Sequence, residues 1–184
     1  MVKVNVKFLK RNPNAKLPKY AHDGDLGMDV VATDVEYDAK NDSYIYSTGL
    51  SCETKKGVGV YAFARSSIYS TDCYLTNSVG VIDTAQYRGE IKFVFKNRTS
   101  LNARIELQSL REWTKMNWFE KLFTSYDEVY NKNSIVDPLK FAPYAVGDKI
   151  GQLILMEFPV GSVKEAKKLS ETERGEGGFG STGK

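Results

Sequence analysis

Five stretches of this chain carry side chains suited to chemistry, and the most distinctive is the last, Arg174–Gly183, RGEGGFGSTG. Closely spaced glycines let successive backbone N–H groups turn inward as an anion-binding nest. Arg174 adds a planar fork of donors that matches phosphate oxygens. Ser181 and Thr182 add hydroxyls. Phe179 has no local core to join and suits stacking on a flat ring. The bland alternative is a disordered tail with a chance Phe. In Val81–Ile91, VIDTAQYRGEI, Asp83 follows two apolar strand residues at a turn. A carboxylate there could act as general base for water, with the Tyr87 ring against a sugar. Alone, the same residues describe an ordinary hairpin turn. Ala64–Ile68, ARSSI, offers Arg65 and Ser66 to phosphate oxygens. Asp25 and Asp29 in DLGMDVVA could hold a metal or its waters, or serve only as turn formers. Gly147–Leu153, GDKIGQL, sets Gln152 at the start of an otherwise apolar strand, where its amide needs a partner.

These groups need a frame. From Val2 to about Gly89 the chain reads as short β runs between glycine-containing turns: Val30–Val31, Tyr44–Tyr46, Val58–Phe63 and then Ile91–Phe95. Many short strands at this spacing predict an all-β barrel or sandwich. From Arg98 to Ala145 the pattern breaks. Leu110, Trp113, Trp118, Phe119, Leu122 and Phe123 mix three- and four-residue spacings, which predicts an amphipathic helix. A loop carrying Asn131, Asn133 and Pro138 follows. Strand character returns at Ile150–Phe158, and residues 170–184 form a charged, then Gly-rich tail.

The 184 residues fit one domain with a proper core. No apolar run reaches the length of a membrane span, and the N-terminus lacks the features of a secretory signal, so the expected location is cytoplasmic. Cys52 and Cys73 read as reduced thiols. The single histidine, His22, argues against His-rich zinc sites and, unless it is itself the base, against a Ser-His-Asp hydrolase. A net charge of +3 helps attract an anion without indicating a nucleic-acid binder.

Taken in order, DLGMD, ARSS, NSVGVID with YRGEI, GDKIGQL and RGEGGFGSTG resemble the five motifs of the trimeric dUTPase family, from about Leu17 to Gly183 apart from the insertion. The resemblance implies a jelly-roll-like dUTPase β-barrel of the β-clip type with a helical insertion at 98–145 and a closing arm at 170–184. It implies a homotrimer with active sites shared between subunits, and Mg2+-assisted hydrolysis of dUTP to dUMP and pyrophosphate. It assigns Asp29 to magnesium, largely through water. Arg65, Ser66 and Ser67 go to phosphate, as does Gln152. Asn77 and the backbone of Gly80, Val81 and Ile82 read uracil. Asp83 activates water by in-line attack on the α-phosphorus, and Tyr87 packs under the deoxyribose. Arg174, Phe179, Gly180, Ser181 and Thr182 match the closing arm.

Three departures stand out. Ser67 replaces the usual Gly. Tyr87 comes one residue later after Asp83 than is usual, which a bulge would absorb. The third and fourth motifs are joined by a long insertion in place of a short link. The nearest rival enzyme, dCTP deaminase, shares Arg-Ser-Ser, but where it carries a catalytic Glu this chain has Val94. A further reading is a regulatory binding protein on the same scaffold, using Trp113, Trp118 and Phe119 of the insertion toward a protein partner. The bland reading packs those rings on the barrel or across the trimer, and all five motifs outside the insertion make it dispensable for hydrolysis.

Overall fold

Alternating core-facing and outward-facing side chains organise the strands, and a computed structural model describes residues 4–173 and 175–176. The strands are β1 Val6–Lys10, β2 Met28–Val31, β3 Asp34–Asp38, β4 Ser43–Ser47, β5 Leu50–Thr54, β6 Val58–Ala64, β7 Cys73–Leu75, β8 Val79–Ile82, β9 Lys92–Asn97 and β10 Lys149–Glu157. They form a β1-β5 ribbon and two four-stranded sheets, β2-β10-β6-β8 and β3-β4-β9-β7. Every pairing is antiparallel. The mostly-β expectation holds.

In the β3-β4-β9-β7 sheet, Tyr44 lies opposite Phe95 and Tyr46 opposite Phe93. All four rings are fully buried. Opposite them, Val30, Val60 and Leu153 of the other sheet close the core. Gly151 is needed where Phe93 comes closest to β10, because a Cβ there would lie 2.1 Å from the ring. Cys52 and Cys73 are both free and buried, as expected of reduced thiols. Burial pushes each thiol up to about 11, so neither is nucleophilic at neutral pH.

The segment expected to be an insertion folds as α1 Leu101–Lys115, α2 Trp118–Phe123 and α3 Tyr126–Ser134, with α1 packed against α3. Each helix starts where a side chain caps the free N–H groups: Ser100, Asn117 and Ser125, the last two in reciprocal capping boxes with Glu120 and Glu128. Two expectations need correction. Asn131 and Asn133 lie within α3, not in a loop. Asn133 is buried, and its amide donates to Ser109 Oγ at 3.1 Å and to Glu112 at 3.1 Å, so tertiary hydrogen bonds override its weak helix preference. The aromatic run also spans two helices rather than one. Trp118, Phe119, Leu122 and Phe123 are exposed in this chain, and the α1–α3 contact is built on Ile105, Val129 and that polar network.

The insertion is tied to the sheets at both ends. Buried Arg104 donates to Asp42 Oδ1 at 2.8 Å, and its guanidinium lies over the Phe141 ring. Asp42 also accepts from the Leu101 N–H and from the Tyr37 hydroxyl. At the far end the Tyr44 hydroxyl donates to Pro138 O at 3.1 Å, and the Tyr46 hydroxyl donates to Tyr144 O at 2.6 Å. Leu139, Phe141, Ala142 and Tyr144, partly buried, pack against the core. Removing Arg104 leaves the partly buried Asp42 short of its cation. Arg104→Ala is expected to lower stability by about 2–3 kcal/mol, measured by urea denaturation. A loss below 0.5 kcal/mol, on the order of a surface change, would mean that the pair does not hold the helices down.

Candidate functional site

Three of the five motifs meet on the outer face of the β2-β10-β6-β8 sheet. Register places them there: Asp29 lies opposite Gln152, which lies opposite Phe63, so Arg65 two residues further on shares their face. The Gln152 amide donates to Asp29 Oδ1 at 3.3 Å. Gly27 makes this approach possible, since a Cβ on it would lie 2.9 Å from Gln152 Oε1. Arg65 Nε stands 3.2 Å from Asp29 Oδ1, and Lys149 Nζ stands 2.7 Å from Oδ2.

Asp29 is only 6% exposed. Burial alone would raise its pKa. Hydrogen bonds from Lys149 and Gln152 and the charge of Arg65 outweigh that, and the carboxyl sits below the ordinary range. One carboxylate faces two cations, so the cluster has a surplus of positive charge. Arg65 Nε is buried and, though near Asp29, makes no hydrogen bond among the described residues. Such a donor suits an incoming oxyanion.

Lys149 is a residue the sequence reading passed over. In a regular strand, positions 149 and 152 point to opposite faces. A register shift between Lys149 and Gly151 against β2 inserts the extra residue that returns Lys149 to the Gln152 side.

These residues fit an anion better than a resident metal. Among the described residues, no three His, Cys, Asp or Glu side chains gather as a metal-binding set. Both Asp29 oxygens already face donors, so a magnesium ion bound directly there would have to displace a cation.

Arg65 leads into a single 3-10 turn, Ser66–Ser70. Ser66 is exposed beside Arg65, and Ser67, in place of the usual Gly, has its Oγ 3.5 Å from the Tyr144 hydroxyl. The return end of the insertion thus touches the ARSS turn.

The Asp83 motif lies elsewhere on the same sheet. β8 is the edge strand, so one side of its backbone is open to a ligand. Asn77 precedes β8 at a tight turn in which Ser78 adopts φ +58°. Gly80 lies across from Ala62, where a Cβ would stand 3.1 Å from the Ala62 Cβ and 3.5 Å from the Asn77 amide nitrogen. Val81 is exposed, opposite Tyr61, and Ile82 is partly buried, opposite Val60. The chain then turns at Asp83, whose backbone oxygen accepts from Gln86 N at 3.0 Å and Tyr87 N at 2.8 Å. This five-residue α-turn, not a β-bulge, absorbs the extra residue before Tyr87.

Two residues missed in the sequence hold the turn. Buried Thr84 makes hydroxyl contacts with Thr54 Oγ1 at 2.6 Å and Val58 O at 3.2 Å. Arg88 donates to Thr84 O at 2.7 Å and Tyr87 O at 3.0 Å. The Tyr87 hydroxyl donates to Glu90 O, and its ring covers Gly89, where a Cβ would lie 2.3 Å away. Asp83 is exposed, and its carboxylate accepts no hydrogen bond among the described residues. It faces a cavity of about 760 Å³ shared with Tyr61, Val81, Tyr87 and Phe158.

A protein-family model described as dUTPase matches residues 13–109. The chain belongs to the dUTPase family. It is 30% identical to the deoxyuridine 5'-triphosphate nucleotidohydrolase of Clostridium tetani, over 98% of this chain and 97% of that one. It is 31% identical to the same enzyme of Desulfitobacterium hafniense, over 99% and 97%. Its fold resembles the dUTPase of Staphylococcus bacteriophage 80alpha, solved with dUpNHpp: TM-score 0.66, 21% identity, 97% and 98% of the two chains. A phage phi11 dUTPase variant, in which a structural Mg(II) ion is coordinated, aligns with TM-score 0.59 and 15% identity over 91% and 99%.

Within this dUTPase chain the two halves stay apart. Val79 pairs with Phe63, so Asp83 and Arg65 lie toward opposite ends of the β6–β8 pair, roughly 20 Å from each other at strand spacing. Arg174, Phe179, Gly180, Ser181 and Thr182 lie outside the described residues.

Ionised Asp29 binds two cations in the fold, so its contribution to stability is complete above the unfolded carboxylate range. It is lost as pH falls through the lowered folded value. The stability gap between the native chain and Asp29→Asn should therefore be flat from about pH 7 to 5 and shrink below about pH 4, followed by chemical denaturation. A gap that widens in acid would contradict the charge assignment.

Proposed function

We propose that the chain hydrolyses dUTP to dUMP and pyrophosphate. The observation that carries this is the combination of a carboxylate without a partner among the described residues, Asp83, above a ring-lined cavity with a net-cationic cluster on the same sheet face. Family membership and the names of the relatives support the substrate. The dUpNHpp bound by the phage 80alpha enzyme supports it too.

In this reading, the open edge of β8 and Asn77 pair with the uracil edge. Backbone recognition this close leaves no space for a 5-methyl group, which rejects thymine by exclusion. Tyr87 lies against the deoxyribose. Arg65, Ser66, Ser67, Gln152 and Lys149 hold the phosphates and neutralise charge that builds up in the transition state. Asp83 takes the proton of a water that attacks the α-phosphorus in line, and pyrophosphate leaves. Mg2+ carried in by dUTP would supply charge neutralisation on the phosphates, and Asp29 is the residue that would face it. The arm residues Arg174, Phe179, Gly180, Ser181 and Thr182 close over base and phosphate. The deaminase alternative lacks support: Val94 sits on β9 in the other sheet, away from the Asp83 cavity.

A separation of roughly 20 Å is too long for one nucleotide to bridge with its α-phosphorus beside Asp83. A second copy must supply the other half, which fits a homotrimer with shared sites.

Asp83→Asn should lower dUTP turnover by a factor of about 100 to 10,000 while dUpNHpp affinity changes little. Retention of more than a tenth of the turnover would remove Asp83 as the base. Arg65→Ala should also be nearly inactive alone. Co-refolding the two variants in equal amounts should restore about a quarter of wild-type activity, because some mixed interfaces carry both intact halves. No recovery, with a trimer mass by light scattering, would mean that each site draws both residues from one subunit.

A further inference from the structure

A second cleft of about 710 Å³ runs beside the Asp29 cluster; Asp29, Gly147 and Lys149 of the motifs line part of it, but the lysines at 10, 16 and 19 belong to no motif. Its walls carry Lys10, Lys16, Lys19 and Lys149, and their single carboxylate is Asp29. That carboxylate is already engaged by Lys149 and Arg65. Lys10, Lys16 and Lys19 form no ion pair among the described residues. The cleft thus holds three uncompensated cations.

The backbone that carries these exposed lysines is held firmly. Lys19 exchanges two backbone hydrogen bonds with Asp29, at 2.8 and 3.3 Å, so the lysine segment is stitched to the strand that carries the cluster. Ala15 is 1% exposed and anchors the preceding loop in the core. The Arg11 N–H donates to Gly49 O at 2.7 Å, and the Asn12 amide reaches Thr33 Oγ1. Pro13 and Pro18 fix two further backbone angles. Like charges held together on a stiff frame repel, and a multivalent anion relieves that repulsion. Its negative charge must exceed that of one carboxylate, and it must contact several ammonium groups at once.

We infer that this cleft binds a condensed phosphate, a diphosphate or longer chain, at a subsite beyond the Arg65 cluster. Two sources share that chemistry: free pyrophosphate, the product of the proposed reaction, and the triphosphate tail of the bound nucleotide. The source rests on the proposed reaction; the charge and shape of the cleft do not.

The test uses the full chain and isothermal titration with inorganic pyrophosphate, orthophosphate and dUpNHpp. The triple variant Lys10→Gln, Lys16→Gln, Lys19→Gln should weaken pyrophosphate binding about tenfold, since three exposed charges are removed. It should also flatten the salt dependence of binding. The matching triple Lys→Arg variant should retain the affinity, which separates lost charge from lost fold. Orthophosphate should bind more weakly than pyrophosphate to the native chain. A parallel loss for dUpNHpp assigns the cleft to the nucleotide tail; unchanged dUpNHpp binding assigns it to released pyrophosphate. Pyrophosphate affinity that survives the Gln triple but vanishes in Arg65→Ala would overturn the subsite. So would a native chain that binds no pyrophosphate at millimolar concentration. A chain that fails to hydrolyse dUTP yet loses pyrophosphate binding in the Gln triple would keep the cleft and discard the reaction.

Discussion

The buried Asp29 carboxylate is the constraint around which the site is arranged. A charge 6% exposed is tolerable only with partners, and here they come from two distant parts of the chain: Arg65 just after β6, and Lys149 and Gln152 on β10. Each partner imposes a local requirement. Gln152 needs the open space at Gly27, and Lys149 needs an extra residue in β10. Arg65 needs the chain to leave β6 directly into a 3-10 turn. The two cations exceed the one anion, so the same interactions that make the carboxylate tolerable create an electropositive face. The contacts that stabilise the carboxylate also set the charge of that face.

The second constraint is the turn after β8. Asp83 is exposed and its carboxylate carries no hydrogen bond among the described residues, so its position depends on its neighbours. Thr84 is anchored beneath it to Thr54 and Val58, and Arg88 closes the turn by binding two of its carbonyl oxygens. A carboxylate held by its backbone keeps its oxygens free, which is the arrangement a base for water requires.

Much of this was legible in the sequence because it rests on local rules. Short runs of β-branched and aromatic residues located most strands, and motif order brought Asp29, Arg65 and Gln152 into one cluster and placed Asp83 with Tyr87. What escaped rests on contacts between distant segments. Lys149 is on the wrong face by simple alternation, and only a shift in register against β2 corrects it. Asn133 reads as a loop residue until Ser109 and Glu112 are beside it. The exposed rings of α2 followed a helical period that in this chain serves no core. The distance between Asp83 and Arg65 depends on which strand pairs with which, and no single segment encodes that.

The insertion also has a place in the connectivity of the chain. Gln152 and Asp29 are 123 positions apart, and the three helices lie inside the loop that their contact closes. Removing the helices would shorten that loop by about a quarter, yet closure entropy depends on the logarithm of length, and the change is only about 0.3 kcal/mol. Chain closure therefore sets little limit on how much polypeptide is carried between Arg104, in the first turn of α1, and the return through Pro138 and Tyr144. The coupling of this segment to the sheets therefore lies in its gripped ends, Arg104 held by Asp42 and the return held by Tyr44 and Tyr46, and not in its length.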